Sequence, residues 1–73
     1  MYDYIKNYYK VEPHMNGRVK HKVTGRFGRI SREDASAGHY VQVLFDGDLH
    51  GLPCHPQDLT YFTVEQEKNT QEK

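Results

Sequence analysis

The residues best suited to chemistry in this chain are one cysteine and five histidines. Cys54 lies between two of these histidines in the stretch HGLPCH, which begins at His50 and ends at His55. Imidazole and thiolate groups are preferred ligands of zinc, and a cysteine paired with a histidine is also the basis of nucleophilic hydrolysis. The histidines are His14, His21, His39, His50 and His55.

The spacing of these residues favours neither chemistry. A structural zinc site normally draws on paired ligands such as C-x2-C, and this sequence has no second cysteine. A cysteine hydrolase needs a cleft and a third group that orients the histidine, for which 73 residues leave little room. We therefore predict no metal site, no cofactor and no catalytic residue. Cys54 is interpreted as a small buried apolar side chain, and His55 as a residue that positions the turn beginning at Pro56.

Size and composition indicate one small globular domain. Its 73 residues carry a formal net charge of zero, and 36% of them are hydrophobic. A domain of this size buries only about 60% of the surface that its unfolded chain exposes. The lone cysteine excludes an internal disulfide, and the sequence shows neither an apolar leader nor an apolar run of membrane-spanning length. These features favour a cytoplasmic protein with no membrane partner.

The charges are distributed unevenly along the chain. Residues 14–34 contain six cations and two anions, whereas residues 35–63 contain three aspartates and no cation. We expect the folded domain to present one basic and one acidic region, an arrangement that favours oriented docking on a partner. The aspartates lack the spacing of a calcium-binding loop and are interpreted as turn and cap residues. They are Asp46, Asp48 and Asp58.

Alternation of apolar and polar residues predicts five short strands. It is clearest over residues 18–23 and 39–45, and two further strands are expected around LHGL and in LTYFTV. Gly28 lies inside the remaining strand, RFGRIS, where a glycine indicates a bulge or the close approach of another backbone. Asp46-Gly47 predicts a hairpin turn, and Pro56 predicts a one-turn helix before the last strand.

This pattern predicts an all-β fold, namely a small SH3-like five-stranded barrel over residues 14–63. The stretches TGRFGRI, YVQVLFDG and HPQDLTYF resemble the KOW and Tudor-like modules of transcription and translation factors. The resemblance covers roughly residues 18–62 and implies the barrel fold. Barrels of this kind bind RNA, ribosomal proteins, RNA polymerase or peptides. Residues 65–73 carry no large apolar side chain, and residues 64–73 are predicted to be a disordered polar tail.

Residues 1–13 are predicted to form an N-terminal interaction arm. As a helix ended by Pro13, the segment MYDYIKNYYK places most of its aromatic side chains on one face. Two interpretations stay open. The tyrosines either pack on the barrel and extend its core, or they form an exposed partner-binding surface, since tyrosine supplies large contact area at low entropic cost. The face comprises Tyr4, Ile5, Tyr8 and Tyr9, with Tyr2 at its edge.

The layout of tyrosine-rich arm, minimal barrel and polar tail resembles the small RNA-polymerase-binding proteins of lytic phages. This resemblance implies a monomeric, non-enzymatic regulator in the bacterial host cytoplasm. It would bind the N-terminal region of the polymerase β′ subunit near the RNA exit channel, compete with σ, inhibit initiation and promote antitermination. The arm and the basic strand would supply the contacts, through Tyr2, Tyr4, Ile5, Lys6, Tyr8, Tyr9, Arg18, Lys20, Lys22 and Arg26.

An RNA- or ribosome-associated nucleic-acid-binding protein is the main alternative. The cations of residues 18–32 could bridge phosphates, and Phe27 or Tyr40 could stack on a base. Because the net charge is zero, we expect only weak and salt-sensitive RNA binding through the basic strand. A Tudor-like reader of modified peptides is a third interpretation, less favoured because the barrel has few aromatic residues for a cage.

Overall fold

The computed structural model describes residues 1–70, which form a five-stranded sheet with a short helix at each end of the chain. The helices are α1 (Asp3–Tyr9) and α2 (Val64–Thr70). The strands are β1 (Arg18–His21), β2 (Phe27–Ile30), β3 (Val41–Phe45), β4 (Leu52–Cys54) and β5 (Leu59–Tyr61). Two 3₁₀ turns lie at Ala35–Ala37 and Pro56–Asp58.

The strands form one curled antiparallel sheet in the order β4-β3-β2-β1-β5. Successive strands pair from β1 to β4, and β5 then returns to the free side of β1, where Tyr61 lies opposite Val19. This architecture confirms the prediction of a small fold built on five antiparallel strands. Within the described part of the chain, no helix has the length and apolarity needed to cross a membrane.

Gly28 is the position at which the sheet has no room for a side chain. A Cβ atom there would lie 2.7 Å from Val43 Cγ1, 2.8 Å from the Leu44 carbonyl oxygen and 2.9 Å from Phe45 Cα. These distances are shorter than real Cβ contacts, so only glycine lets β3 approach β2 this closely. The close backbone approach predicted at Gly28 is confirmed.

The core lies on one face of the sheet and includes side chains from the N-terminal segment. Cys54 belongs to it as a free, buried thiol, as its sequence context predicted. Burial raises the pKa of this thiol, which disfavours the reactive thiolate. The core side chains are Tyr2, Ile5, Val19, Ile30, Val41, Val43, Phe45, Cys54 and Leu59.

The predicted turns are confirmed around Asp46-Gly47 and at Pro56. Gly47 has a φ of 89°, which glycine adopts at little cost. Pro56 begins the 3₁₀ turn before β5, and His55 Nδ1 accepts a hydrogen bond from the Gln57 backbone N–H at 3.1 Å. His55 therefore positions this turn as the sequence predicted.

The predicted first strand is too long at its C-terminal end. β1 ends at His21 because the ring of that residue caps the following turn, with its Nδ1 atom accepting from the backbone N–H groups of Val23 and Thr24 at 3.2 and 3.3 Å. Val23 is consequently 80% exposed and does not join the core. Lys22 lies in the turn and not in the strand.

The C-terminal segment differs from the prediction of a disordered tail over its described part, since α2 covers Val64–Thr70. Two reciprocal hydrogen bonds begin this helix: Gln66 Oε1 accepts from the Thr63 backbone N–H at 2.8 Å, and Thr63 Oγ1 accepts from the Gln66 backbone N–H at 3.2 Å. Such a capping box satisfies N–H groups that a helix start leaves unpaired. The polar composition alone did not reveal it. Residues 71–73 lie outside the described residues.

Candidate partner-binding surface

Helix α1 is fixed to the sheet by two fully buried side chains. Tyr2 and Ile5 are at most 1% exposed and are part of the core. The Tyr2 hydroxyl donates to the Ser31 carbonyl oxygen at 2.9 Å and accepts from the Gln42 backbone N–H at 3.0 Å. Ser31 follows β2 and Gln42 lies in β3, so this one hydroxyl joins the N-terminal segment to two strands. Tyr2 and Ile5, which the sequence predicted to contact a partner, are therefore buried, and they fix α1 on the sheet.

The remaining tyrosines of the N-terminal segment form a row of rings that two histidines extend, with Tyr9 partly buried against the core. Tyr4 and Tyr8 stack with their centroids 5.5 Å apart, and Tyr9 meets Tyr8 edge-on at 4.8 Å. His39 packs against Tyr4 and His55 against Tyr9, each with centroids 5.1 Å apart. We call these five residues the aromatic row. Tyr4 is 49% and Tyr8 64% exposed, so the row offers apolar ring surface to a partner.

The structure confirms core packing for Tyr2 and Ile5, whereas Tyr4 and Tyr8 are exposed and their role in partner binding stays a prediction. Helical spacing of three residues places Tyr2 and Ile5 toward the sheet, and spacing of four places Tyr4 and Tyr8 together on the outer side. Sequence spacing missed the histidines of the row, because they come from loops 30 or more residues away. Only the sheet topology brings His39, just before β3, and His55, just after β4, to the two ends of the row.

Two of the four cations within residues 18–26 that were predicted to bind a partner, Arg18 and Arg26, are paired with carboxylates. Arg18 is only 8% exposed, and its two terminal nitrogens donate to the two carboxylate oxygens of Asp46 at 2.7 and 2.6 Å. The hydrogen bond from Arg18 lowers the pKa of the Asp46 carboxyl. Arg26 donates to Asp48 at 3.0 Å and to the Asp46 carbonyl oxygen at 3.2 Å. Cations and carboxylates are therefore interleaved here, and the clear separation into two regions expected from composition is wrong.

The other predicted cations take different positions. Lys20 and Lys22 are exposed, and Lys20 Nζ lies 5.4 Å from the centroid of the Phe27 ring. Phe27 in turn stacks on Phe62 with centroids 6.1 Å apart. Lys6 is partly buried on α1. The structure therefore places the aromatic row and this lysine–phenylalanine group on different elements, and it does not join all ten predicted residues into one surface.

Cys54 and the histidines that the sequence singled out lie in different surroundings. No group of three histidine, cysteine or acidic side chains among residues 1–70 is placed to hold a metal ion. Within this described part, the Cys54 thiol contacts the Leu52 carbonyl oxygen at 3.7 Å, and His55 uses its ring to cap the turn. What the aromatic row can supply is rigid, half-exposed contact area, which suits recognition of another macromolecule. Comparison of the chain with protein-family models, with characterised proteins and with solved structures finds no match.

Proposed function

We propose that this chain is a non-enzymatic transcription regulator that docks on bacterial host RNA polymerase through the aromatic row. The observation that supports docking is a row of five contiguous rings, half-exposed at Tyr4 and Tyr8 and fixed by the buried side chains of Tyr2 and Ile5. The identity of the partner follows from the resemblance of the layout to the polymerase-binding proteins of lytic phages. The proposal includes an SH3-like barrel, whose strand order and 3₁₀ turn before β5 fit that fold, and action in the host cytoplasm.

The energetics of such a surface are favourable because the row is already ordered. An aromatic side chain buries about 150–250 Å² when it is fully covered, at about 25 cal/mol per Å² of apolar area. Tyr4 and Tyr8 still expose about half of their surface. Their rings are stacked before any partner arrives, so little side-chain freedom is lost on binding. These are the properties of interface positions whose truncation costs 2 kcal/mol or more.

The proposed mechanism needs occupancy alone. A rigid domain on the N-terminal region of the β′ subunit, beside the RNA exit channel, would occupy surface that σ uses during initiation. The same body would hinder a nascent RNA hairpin from forming as it leaves the channel. Inhibition of initiation and antitermination would then follow from a single docking event, with no bond made or broken.

The test compares two exposed parts of the chain. In the double variant Tyr4→Ala/Tyr8→Ala, we expect affinity for purified core polymerase to fall about 30-fold or more, measured by calorimetry or fluorescence anisotropy. Tyr40→Ala is the matched control, because Tyr40 is 46% exposed but has no ring contact with the row. Its affinity should stay within about threefold of the unmodified chain. A folded double variant that binds polymerase as tightly as the Tyr40 variant would refute the proposal.

RNA binding is the second candidate function, and the observation that favours it is the group formed by Lys20, Phe27 and Phe62. Stacked rings beside a lysine suit single-stranded RNA. RNA binding is less favoured than polymerase docking, because three arginines of this region are paired with carboxylates and are less available to phosphates. They are Arg18, Arg26 and Arg29. If it is the main function, Lys20→Glu should weaken RNA binding with a steep salt dependence, and the double tyrosine variant should leave RNA binding unchanged.

A further inference from the structure

The carboxylate of Glu67 in helix α2 lies between donor groups of β1 and β2. Glu67 Oε2 accepts from the Arg18 backbone N–H at 3.2 Å, and Glu67 Oε1 lies 3.6 Å from Arg29 NH1. Arg18 and Arg29 are paired directly across β1 and β2, so both groups belong to one spot on the sheet. The Glu67 side chain is only 16% exposed there.

We propose that this position is a phosphate-binding site for single-stranded RNA and that Glu67 occupies it in the free protein. A backbone N–H together with a guanidinium is a donor set that proteins use for phosphate oxygens, and a carboxylate offers the same kind of acceptor. RNA and α2 therefore compete for one site. This inference rests on the RNA-binding function given above as the second candidate, and it does not depend on polymerase docking at the aromatic row.

The neighbouring side chains extend the site along a nucleotide strand. Phe62 pairs with β1 through its backbone N–H, which donates to the Arg18 carbonyl oxygen at 3.1 Å. Its ring stacks on Phe27, and Lys20 Nζ lies over the same Phe27 ring. Two stacked rings for bases and a lysine for a second phosphate thus lie beside the position that Glu67 fills.

Helix α2 is suited to being displaced. It has seven residues, a length at which a helix in water is marginal without tertiary contacts. Val64 at its first position is 72% exposed and adds little apolar anchoring. The capping box between Thr63 and Gln66 lies within the segment itself, so it does not join α2 to the sheet. The contacts of Glu67 to β1 and β2 join the described part of α2 to the sheet.

The test measures binding of a fluorescein-labelled oligouridylate of about ten nucleotides to the full chain by anisotropy, at low and moderate salt. Glu67→Gln should bind roughly three- to tenfold more tightly than the unmodified chain, since it weakens the contact that competes with RNA. Glu65→Gln is the matched control, because it changes the net charge equally from an exposed position on the same helix. Its affinity should change by less than about twofold. Adding Arg29→Gln to Glu67→Gln should abolish the gain.

Two results would overturn the inference. One is equal binding of the two glutamine variants, which would mean that only overall charge matters. The other comes from isotope-labelled unmodified protein: RNA binding without a response of the Arg18 amide would place the RNA elsewhere. Amide spectra of each variant verify that it is folded. Polymerase affinity should be unaffected by Glu67→Gln, so failure of this inference and failure of the docking proposal give different patterns.

Discussion

Replacing Tyr2 with phenylalanine removes one oxygen atom from the interior and leaves the buried ring in place. The two groups that lose their partner are the Ser31 carbonyl and the Gln42 backbone N–H, both bonded to this hydroxyl at about 3 Å. Leaving a buried backbone group unpaired costs about 1–3 kcal/mol. Ser31 and Gln42 also share a direct bond of 2.8 Å, from the Ser31 N–H to the Gln42 carbonyl oxygen, which the substitution leaves intact. Because both bonds are only part-buried, each group loses less than this full cost, and we expect the free energy of unfolding to fall by about 1–3 kcal/mol in total, a large share of the stability of so small a domain.

Urea unfolding followed by far-ultraviolet circular dichroism measures this loss as a lower midpoint at an unchanged slope. Tyr8→Phe is the matched control, because Tyr8 is exposed and its hydroxyl has no hydrogen bond among the contacts of the described residues. Its effect should stay within about 0.5 kcal/mol. Hydrogen exchange of the Gln42 amide should also accelerate in Tyr2→Phe. Equal midpoints for the two variants, or unchanged protection of Gln42, would refute the assignment of Tyr2 as the residue that fixes α1.

Three further predictions concern the sheet and its titrating groups. Gly28→Ala should lower the free energy of unfolding by about 1–3 kcal/mol or prevent folding, because the added Cβ meets the β3 backbone; a neutral result in a urea titration would contradict the close packing described here. Arg18 lowers the pKa of the Asp46 carboxyl below its ordinary value of 3.8, so the ionised carboxyl stabilises the fold at pH values above 3.8 and this contribution is lost as the pH falls further. Asp46→Asn should therefore flatten the acid limb of a stability–pH curve, and an unchanged limb would count against the pair. Burial raises the pKa of Tyr61 above its ordinary value of 10.0, so stability should fall as pH rises beyond about 10, and Tyr61→Phe should reduce that alkaline loss; identical curves for the two proteins would exclude Tyr61 as its source.

Local sequence signals predicted the elements of the fold well, because each depends on a few adjacent residues. Alternation located four of the five strands, but the strand expected around LHGL lies further along the chain, at Leu52–Cys54. Gly28 marked the close approach of two strands, and Pro56 marked the turn before the last. The candidate surface was harder to predict, because it depends on residues far apart in sequence. Tyr4 and Tyr8 follow from helical spacing alone, whereas the histidines that extend their row reach it only through the sheet topology.

The pairing of Arg18 with carboxylates was missed for the same reason, because its partners lie far away in the sequence. Counting charges along residues 14–34 gives an excess of cations, but a strand places its side chains beside those of its neighbours and not beside the next residues in sequence. Arg18 meets Asp46 across 28 positions, and its backbone N–H meets Glu67 across 49. No local pattern reports such pairs, so the composition overstated the positive field of this face.

The strand order described above also constrains the sequence of events in folding. The adjacent pairs from β1 to β4 close short loops, but β1 and β5 can pair only after about 40 intervening residues have been ordered, and contacts of such separation form slowly. The N-terminal segment has a similar requirement, because the Tyr2 hydroxyl needs both Ser31 and Gln42 in place. We therefore expect the middle of the chain to assemble before either of its ends. The aromatic row therefore forms only after β2 and β3 are in place, so we expect a chain truncated before β3 to lack it.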